Sequence, residues 1–222
     1  MSSGLSRGKQ LDTSGYGIAN EGLPPPESGP IDPRLWFDVP ARSLEVEIGS
    51  GKGTFLLQQS KLCTNMNFLG FEWAGEFYRY AADRFRRHQL PNVKIVYGDA
   101  SEFLLHRCAP GVVSVIHIYF SDPWPKKRHH KRRVVQDATL RAMHRALASR
   151  GEVRLVTDHE DLWRWYQDLA ARNAHLFACT PFDPPESAVA AGEIVGSNFE
   201  RKYKREGRPF HAMTLMRRDQ GA

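Results

Sequence analysis

From Leu44 onward, short apolar runs alternate with longer segments in which apolar residues recur at helical spacing. The runs cover 44–48, 68–71, 93–97, 112–119 and 153–157, and a last strand-like run covers 210–216. The segments that read as helices are 54–61, 75–88, 101–107, 134–148 and 159–173. Strands alternating with helices form βαβ units, and right-handed crossovers put helices on both faces of a parallel sheet. The pattern therefore predicts an α/β domain over 41–222. Between the last helix and the last strand lie a stretch containing Pro and Ala after Pro181 and a polar segment at 197–206. No internal repeat is present.

Residues 1–40 follow another pattern. Gly4, Gly8, Gly15, Gly17, Gly22 and the run Pro24-Pro25-Pro26 break any period. This composition predicts a flexible N-terminal arm, ordered locally near Leu35-Trp36-Phe37. Such an arm serves either as a tail or as a lid or RNA clamp.

Composition narrows the class. Apolar residues make up 41% of the chain, enough for one sizeable core. The formal charge of +6 fits a polyanionic partner or plain solubility, and clustering must decide between them. Cys63, Cys108 and Cys179 are odd in number and widely spaced, which suits neither a disulfide framework nor zinc. Reduced thiols in a cytoplasmic protein are expected. No apolar stretch reaches the roughly 20 residues of a membrane span. The first ten residues lack the apolar core of a signal peptide.

Open parallel sheets bind ligands beyond the carboxyl ends of their strands, so chemistry is sought there. The first run ends in Glu47-Ile48-Gly49-Ser50-Gly51-Lys52-Gly53. Gly49 and Gly51 let the backbone turn tightly and approach a ligand. The G-x-G-x-G spacing differs from the G-x-G-x-x-G of dinucleotide sites and favours a ligand without pyrophosphate. Glu72 ends the second run and is placed to accept from ribose hydroxyls. Asp99 follows the third and can accept from an adenine amino group, although of these acids it is the one a helix cap fits best. Asp122 follows the fourth. Four carboxylates at four successive strand ends suit a cationic sulfonium ligand.

Tyr119-Phe120-Ser121-Asp122-Pro123-Trp124-Pro125-Lys126-Lys127-Arg128-His129-His130-Lys131-Arg132-Arg133 is the most distinctive segment. Lys126 to Arg133 carry six permanent positive charges and two histidines. A block of this kind repels itself unless it is solvated or paired with phosphates. It begins four residues after Asp122, and the prolines at 123 and 125 stiffen it. Charge is thus held beside the expected ligand site. Trp124 either stacks on a base or anchors the loop. No partner spacing makes His129 and His130 metal ligands, so no metal is expected.

This segment resembles the D-P-W-P-K-K-R-H-H-K-R-R signature of the bacterial tRNA (guanine-N7-)-methyltransferases. Glu47 to Gly53 is similar to the family's first motif, and Phe68-Leu69-Gly70-Phe71-Glu72 to its second. Thr157-Asp158 and Ser197-Asn198-Phe199-Glu200 resemble its later substrate motifs. The resemblance implies a Rossmann-like class I methyltransferase fold. That fold has a mostly parallel seven-stranded sheet flanked by helices, with an antiparallel last strand. It implies S-adenosyl-L-methionine as cofactor and N7 of the variable-loop guanine of tRNA as methyl acceptor. Glu47, Gly49, Gly51, Glu72, Asp99 and Asp122 then correspond to cofactor contacts. Lys126, Asp158, Ser197, Asn198, Phe199 and Glu200 correspond to substrate contacts. Lys127, Arg128, Lys131 and Arg132 are expected on RNA. Ser121 stands where the family usually has proline, and Ser197 where it has threonine. A monomer or a homodimer is expected.

Guanine N7 carries a lone pair and no proton, so no general base is needed. Catalysis is expected to rest on positioning and on a carboxylate near the base, with Asp122 first and Asp158 second. Two competing readings are a small-molecule methyltransferase and a non-catalytic RNA-binding protein. The basic run argues against the first, and the four carboxylates argue against the second.

Overall fold

The computed structural model describes residues 10–189 and 192–219. Residues 1–9 of the expected arm and 220–222 of the expected domain lie outside the described residues. The apolar runs become strands of one sheet because they are rich in β-branched, aromatic and other apolar side chains that suit a buried pleated surface. The strands are β1 (Gly17–Ala19), β2 (Leu44–Ile48), β3 (Asn67–Glu72), β4 (Val93–Tyr97), β5 (Val113–Tyr119), β6 (Leu147–Thr157), β7 (Phe177–Thr180) and β8 (His211–Arg217). Their order across the sheet is β1-β4-β3-β2-β5-β6-β8-β7. Strands β1 to β6 run parallel, and β8 pairs antiparallel with both β6 and β7.

Helices α1 (Thr54–Leu62) and α2 (Gly75–Arg87) cover one face, where Phe55, Leu56, Ala81 and Phe85 pack on Phe68 and Ile95. Helices α3 (Ala100–His106), α4 (Asp137–Ala146) and α5 (Glu160–Arg172) cover the other through Phe103, Leu140, Met143 and Tyr166. Two short helices, α6 (Glu186–Val189) and α7 (Asn198–Arg205), lie between β7 and β8.

The structure differs from the expected pattern in several places, and β7 falls in none of the predicted runs. The sheet has eight strands rather than seven, because β1 comes from the arm and pairs with β4. The arm from residue 10 onward therefore follows a defined path. Lys94 Nζ donates to Gly15 O at 2.6 Å, Arg86 pairs with Asp12 at 3.2 Å, and Ile31 bridges to Cys108. The predicted fourth helix stops at Ala146 because Leu147 leaves it to pair with Val113. The polar segment forms α7, whose one buried side chain is Glu200.

Candidate active site

The first strand-to-turn junction folds back on its neighbour. Gly49, Gly51 and Gly53 all adopt the left-handed region, at φ of 80°, 52° and 65°. The N–H groups of Gly49 and Ser50 both donate to Phe71 O, at 2.9 and 3.0 Å. This fold needs room. A Cβ on Gly70 would lie 2.5 Å from Ser50 Oγ, and one on Gly53 would lie 2.6 Å from Phe85 Cζ. A Cβ on Gly49 would meet nothing within 4 Å, so open space lies above that turn.

Two carboxylates converge on this loop. Glu72 accepts from Gly51 N at 2.6 Å and from Ala74 N at 2.8 Å, so its charge fixes the ends of both β2 and β3. Glu47 is buried, and its Oε2 has no hydrogen-bond partner among the described residues. Burial pushes the Glu47 carboxyl up to about 8, with the Glu72 charge adding to the rise and the Ser50 hydroxyl opposing it. A buried acceptor of this kind costs free energy until a donor or cation reaches it. The loop thus fits a ligand that brings positive charge, such as a sulfonium.

The raised pKa has a sign that can be measured. Between the unfolded value of 4.5 and the folded value of about 8, the folded state holds more protons than the unfolded state. Stability without ligand is expected to fall as pH rises through that window. A cation bound beside Glu47 favours its ionised form. Its binding is therefore expected to release a proton below about pH 8 and to tighten as pH rises. Calorimetry of S-adenosylmethionine in buffers of different ionisation enthalpy reads the released proton. Binding without proton release anywhere below about pH 8 would place the ligand's charge away from Glu47.

Asp99 is exposed and caps α3, accepting from Ser101 N at 2.7 Å. The capping explanation holds for one of its oxygens, and the group remains at the carboxyl end of β4. Asp122 is exposed and makes no hydrogen bond or ion pair among the described residues. Its backbone is held under strain. Phe120 and Trp124, on either side, take φ of 53° and 43°, a conformation that is costly for bulky residues. Surrounding contacts hold them there. Phe120 N donates to Val156 O at 2.8 Å, and its ring meets Tyr203 and Phe210 edge-on. Ser121 Oγ and the buried Tyr166 hydroxyl are 2.9 Å apart, a contact that proline at this position would lack. Pro123 O accepts from Arg133 Nε at 2.9 Å.

That arginine corrects the reading of the basic block. Arg133 is buried, ion-paired with Asp161 and stacked on Trp165 at 5.0 Å. It ties the loop to α5 and is not available to a phosphate. Lys126, Lys127, Arg128, Lys131 and Arg132 are exposed and have no acidic partner among the described residues. Residues Lys127–Arg132 form a 3-10 helix that displays them. Trp124 lies under Arg132 at 4.9 Å and against His129, which makes it an anchor of this loop.

Helix α7 closes the other side. Ser197 caps it by accepting from Glu200 N at 3.0 Å. Asn198 Nδ2 donates to Thr54 Oγ1 at 2.8 Å, so α7 is tied to the start of α1. Phe199 is 46% exposed, and its ring lies 4.0 Å from where a Cβ on Gly51 would stand. Glu200 departs from its expected part as a direct substrate contact. It is 1% exposed, and its carboxylate accepts from the N–H groups of Ile194, Val195 and Gly196. Both oxygens are used to shape the turn that delivers Ser197 to Phe199. Asp158 pairs with Arg208 at 2.6 Å, and Arg208 lies over the Tyr203 ring at 4.3 Å. Burial raises the Tyr203 hydroxyl pKa, and the charges of Asp158 and Asp122 add to it. Tyr203 thus lies within electrostatic reach of both acids that the sequence put forward for the reaction centre. The sequence pattern singles out neither Tyr203 nor the Arg133–Asp161 tie. The signal for Tyr203 is its spacing of four from Phe199 within one helix.

Comparison with known proteins agrees with this geometry. Residues 41–213 match a protein-family model described as "Putative methyltransferase". The tRNA (guanine-N(7)-)-methyltransferase of Nitrobacter hamburgensis is 32% identical over 92% of this chain and 82% of its own length. That of Corynebacterium jeikeium is 38% identical over 78% of this chain and 68% of its own. Among solved structures, the aminoglycoside resistance methyltransferase NpmB1 superposes with a TM-score of 0.54 at 17% identity. That match covers 80% of this chain and 88% of the other. A SAM-dependent methyltransferase from Aquifex aeolicus gives 0.51 at 12% identity, over 79% and 81%. These two likenesses establish the methyltransferase fold. With the family model spanning the glycine loop, the four acids and α7, this chain belongs to the tRNA (guanine-N7-)-methyltransferase family.

Proposed function

We propose that this protein transfers a methyl group from S-adenosylmethionine to N7 of the variable-loop guanine of tRNA, in the cytoplasm. The observation that carries the reading is a juxtaposition. A glycine loop with a buried carboxylate, one of whose oxygens has no partner among the described residues, follows β2, and the neighbouring strand β5 leads into the exposed Asp122 and a basic helix whose lysines and arginines have no acidic partner there. A small substrate gives no use for that basic surface, and a passive RNA-binding protein gives none for Glu47.

S-adenosylmethionine supplies an activated methyl group on a positively charged sulfur. The residues that would hold it are Glu47, Gly49, Gly51, Glu72, Asp99 and Asp122. Glu72 keeps lone pairs free for ribose hydroxyls while its other contacts brace the glycine loop. Asp122 and Asp158 would face the guanine. They can accept from its N1–H and 2-amino group, donors that adenine lacks. The base gains positive charge on methylation, and a carboxylate fixed beside it stabilises that charge without reorganising. No side chain has to remove a proton from N7. Lys126, Ser197, Asn198 and Phe199 would position the nucleotide. Lys127, Arg128, Lys131 and Arg132 would hold the phosphates around it.

Incubation with labelled S-adenosylmethionine and unmodified tRNA, followed by nucleoside analysis, tests the whole reading. The expected product is 7-methylguanosine, and a different modified nucleoside would overturn it. A narrower test concerns the ribose. Glu72→Ala is expected to weaken cofactor binding by about 1–3 kcal/mol, the cost of removing a charge-assisted partner. Unchanged affinity in a variant that still melts cooperatively would show that the ribose lies elsewhere.

A further inference from the structure

The arm reaches the ligand edge of the sheet. Strand β1 ends with Ala19 in register with Tyr97, and the next residue is Asn20. A side-chain carbon built on Gly98 would meet Asn20 Cβ, Cγ and Oδ1 at 3.2, 3.4 and 3.5 Å. Gly98 N in turn donates to Glu72 O at 3.2 Å, and Asp99 follows directly in the chain. Asn20, the end of β3 and the end of β4 therefore share one corner. On the reading above, that corner takes the adenosine.

Asn20 is half-buried, and its side-chain amide makes no hydrogen bond among the described residues. Its backbone is held, since Leu23 N donates to Asn20 O at 3.1 Å. The arm leading to it is docked by contacts remote from the corner. Asp12 is bound by Arg86, and Gly15 O by Lys94. A fixed backbone thus presents a free amide. An amide carries a donor beside an acceptor, which complements the amino group and ring nitrogen along an adenine edge.

We propose that the N-terminal arm forms a wall of the cofactor pocket, and that Asn20 recognises the adenine edge there. This inference rests on the S-adenosylmethionine reading. It gives the arm a part in cofactor binding, which composition alone left between a tail and a lid or clamp. Asn20 binds the cofactor and takes no part in the methyl transfer itself.

Calorimetry on the full chain tests it, with S-adenosylhomocysteine and S-inosylhomocysteine as probes. The second probe carries a carbonyl oxygen where adenine has its amino group. Asn20→Ala is expected to weaken S-adenosylhomocysteine about 5–30-fold and to narrow the preference over the inosine analogue. Asn20→Asp keeps the size and removes the amide donor, so it should show a similar loss. A role in packing alone would leave this second variant like the parent. Glu72→Ala serves as the reference. If it weakens binding while both Asn20 variants stay within about twofold of the parent, the inference falls and the cofactor reading stands. If the parent binds neither probe, both fall. If the Asn20 variants keep the probes and lose tRNA, the arm is an RNA clamp and the inference is overturned.

Discussion

Asp122→Asn is expected to fold as the parent does, to bind tRNA, and to lose about 10²–10³-fold in methyl-transfer rate. The loss follows from geometry as well as charge. Asp122 is set between two residues in strained left-handed conformations, and Tyr166, Arg133 and Val156 hold the surrounding backbone in place. Strain of this kind persists only where neighbouring contacts over-determine it. The result is a carboxylate with no internal partner, fixed where the base is proposed to sit. Asparagine fills the same volume but cannot stabilise positive charge on the methylated ring. Single-turnover methylation with saturating tRNA and cofactor isolates this effect, because binding then no longer limits the rate. A variant within about twofold of the parent would leave Asp122 a loop-shaping residue.

Replacing Lys127, Arg128, Lys131 and Arg132 by glutamine is expected to weaken tRNA binding on the order of 10²-fold at about 0.1 M salt. The slope of log affinity against log salt should flatten by up to about 4, because each removed cation leaves one phosphate with its counterions. Cofactor affinity should barely change, because these side chains lie outside the glycine loop. Arg133 is left in place for a physical reason. It is buried against Trp165 and bonds both Pro123 O and Asp161, so its removal would collapse the loop that carries Asp122. Filter binding across a salt series reads both quantities. An unchanged slope would make the block a solvated surface.

Sequence and structure divide the account of this protein unevenly. The order of apolar runs already determined strands β2 to β6, the final strand and helices α1 to α5, because buried strands and amphipathic helices carry different periodicities. The acids after those strands and the cationic run were legible for a related reason. Ligands collect at the carboxyl ends of parallel strands, so position along the chain gives position in space. What the sequence left open depended on contacts between distant segments. Strand β1 is three residues of Gly-Ile-Ala, too short to carry a period, and it exists because β4 offers it an edge. Helix α7 is polar apart from Phe199 and Tyr203, and it is organised by Glu200 capturing three backbone N–H groups of the preceding turn. Arg133 reads as one more charge in a basic run, yet Asp161, twenty-eight residues away, makes it an internal tie. Likewise, no local feature marks Glu47 as the acid with a raised pKa. Only the burial of β2 between its neighbours, with Glu72 close by, takes that carboxylate out of water and leaves it waiting for a cation.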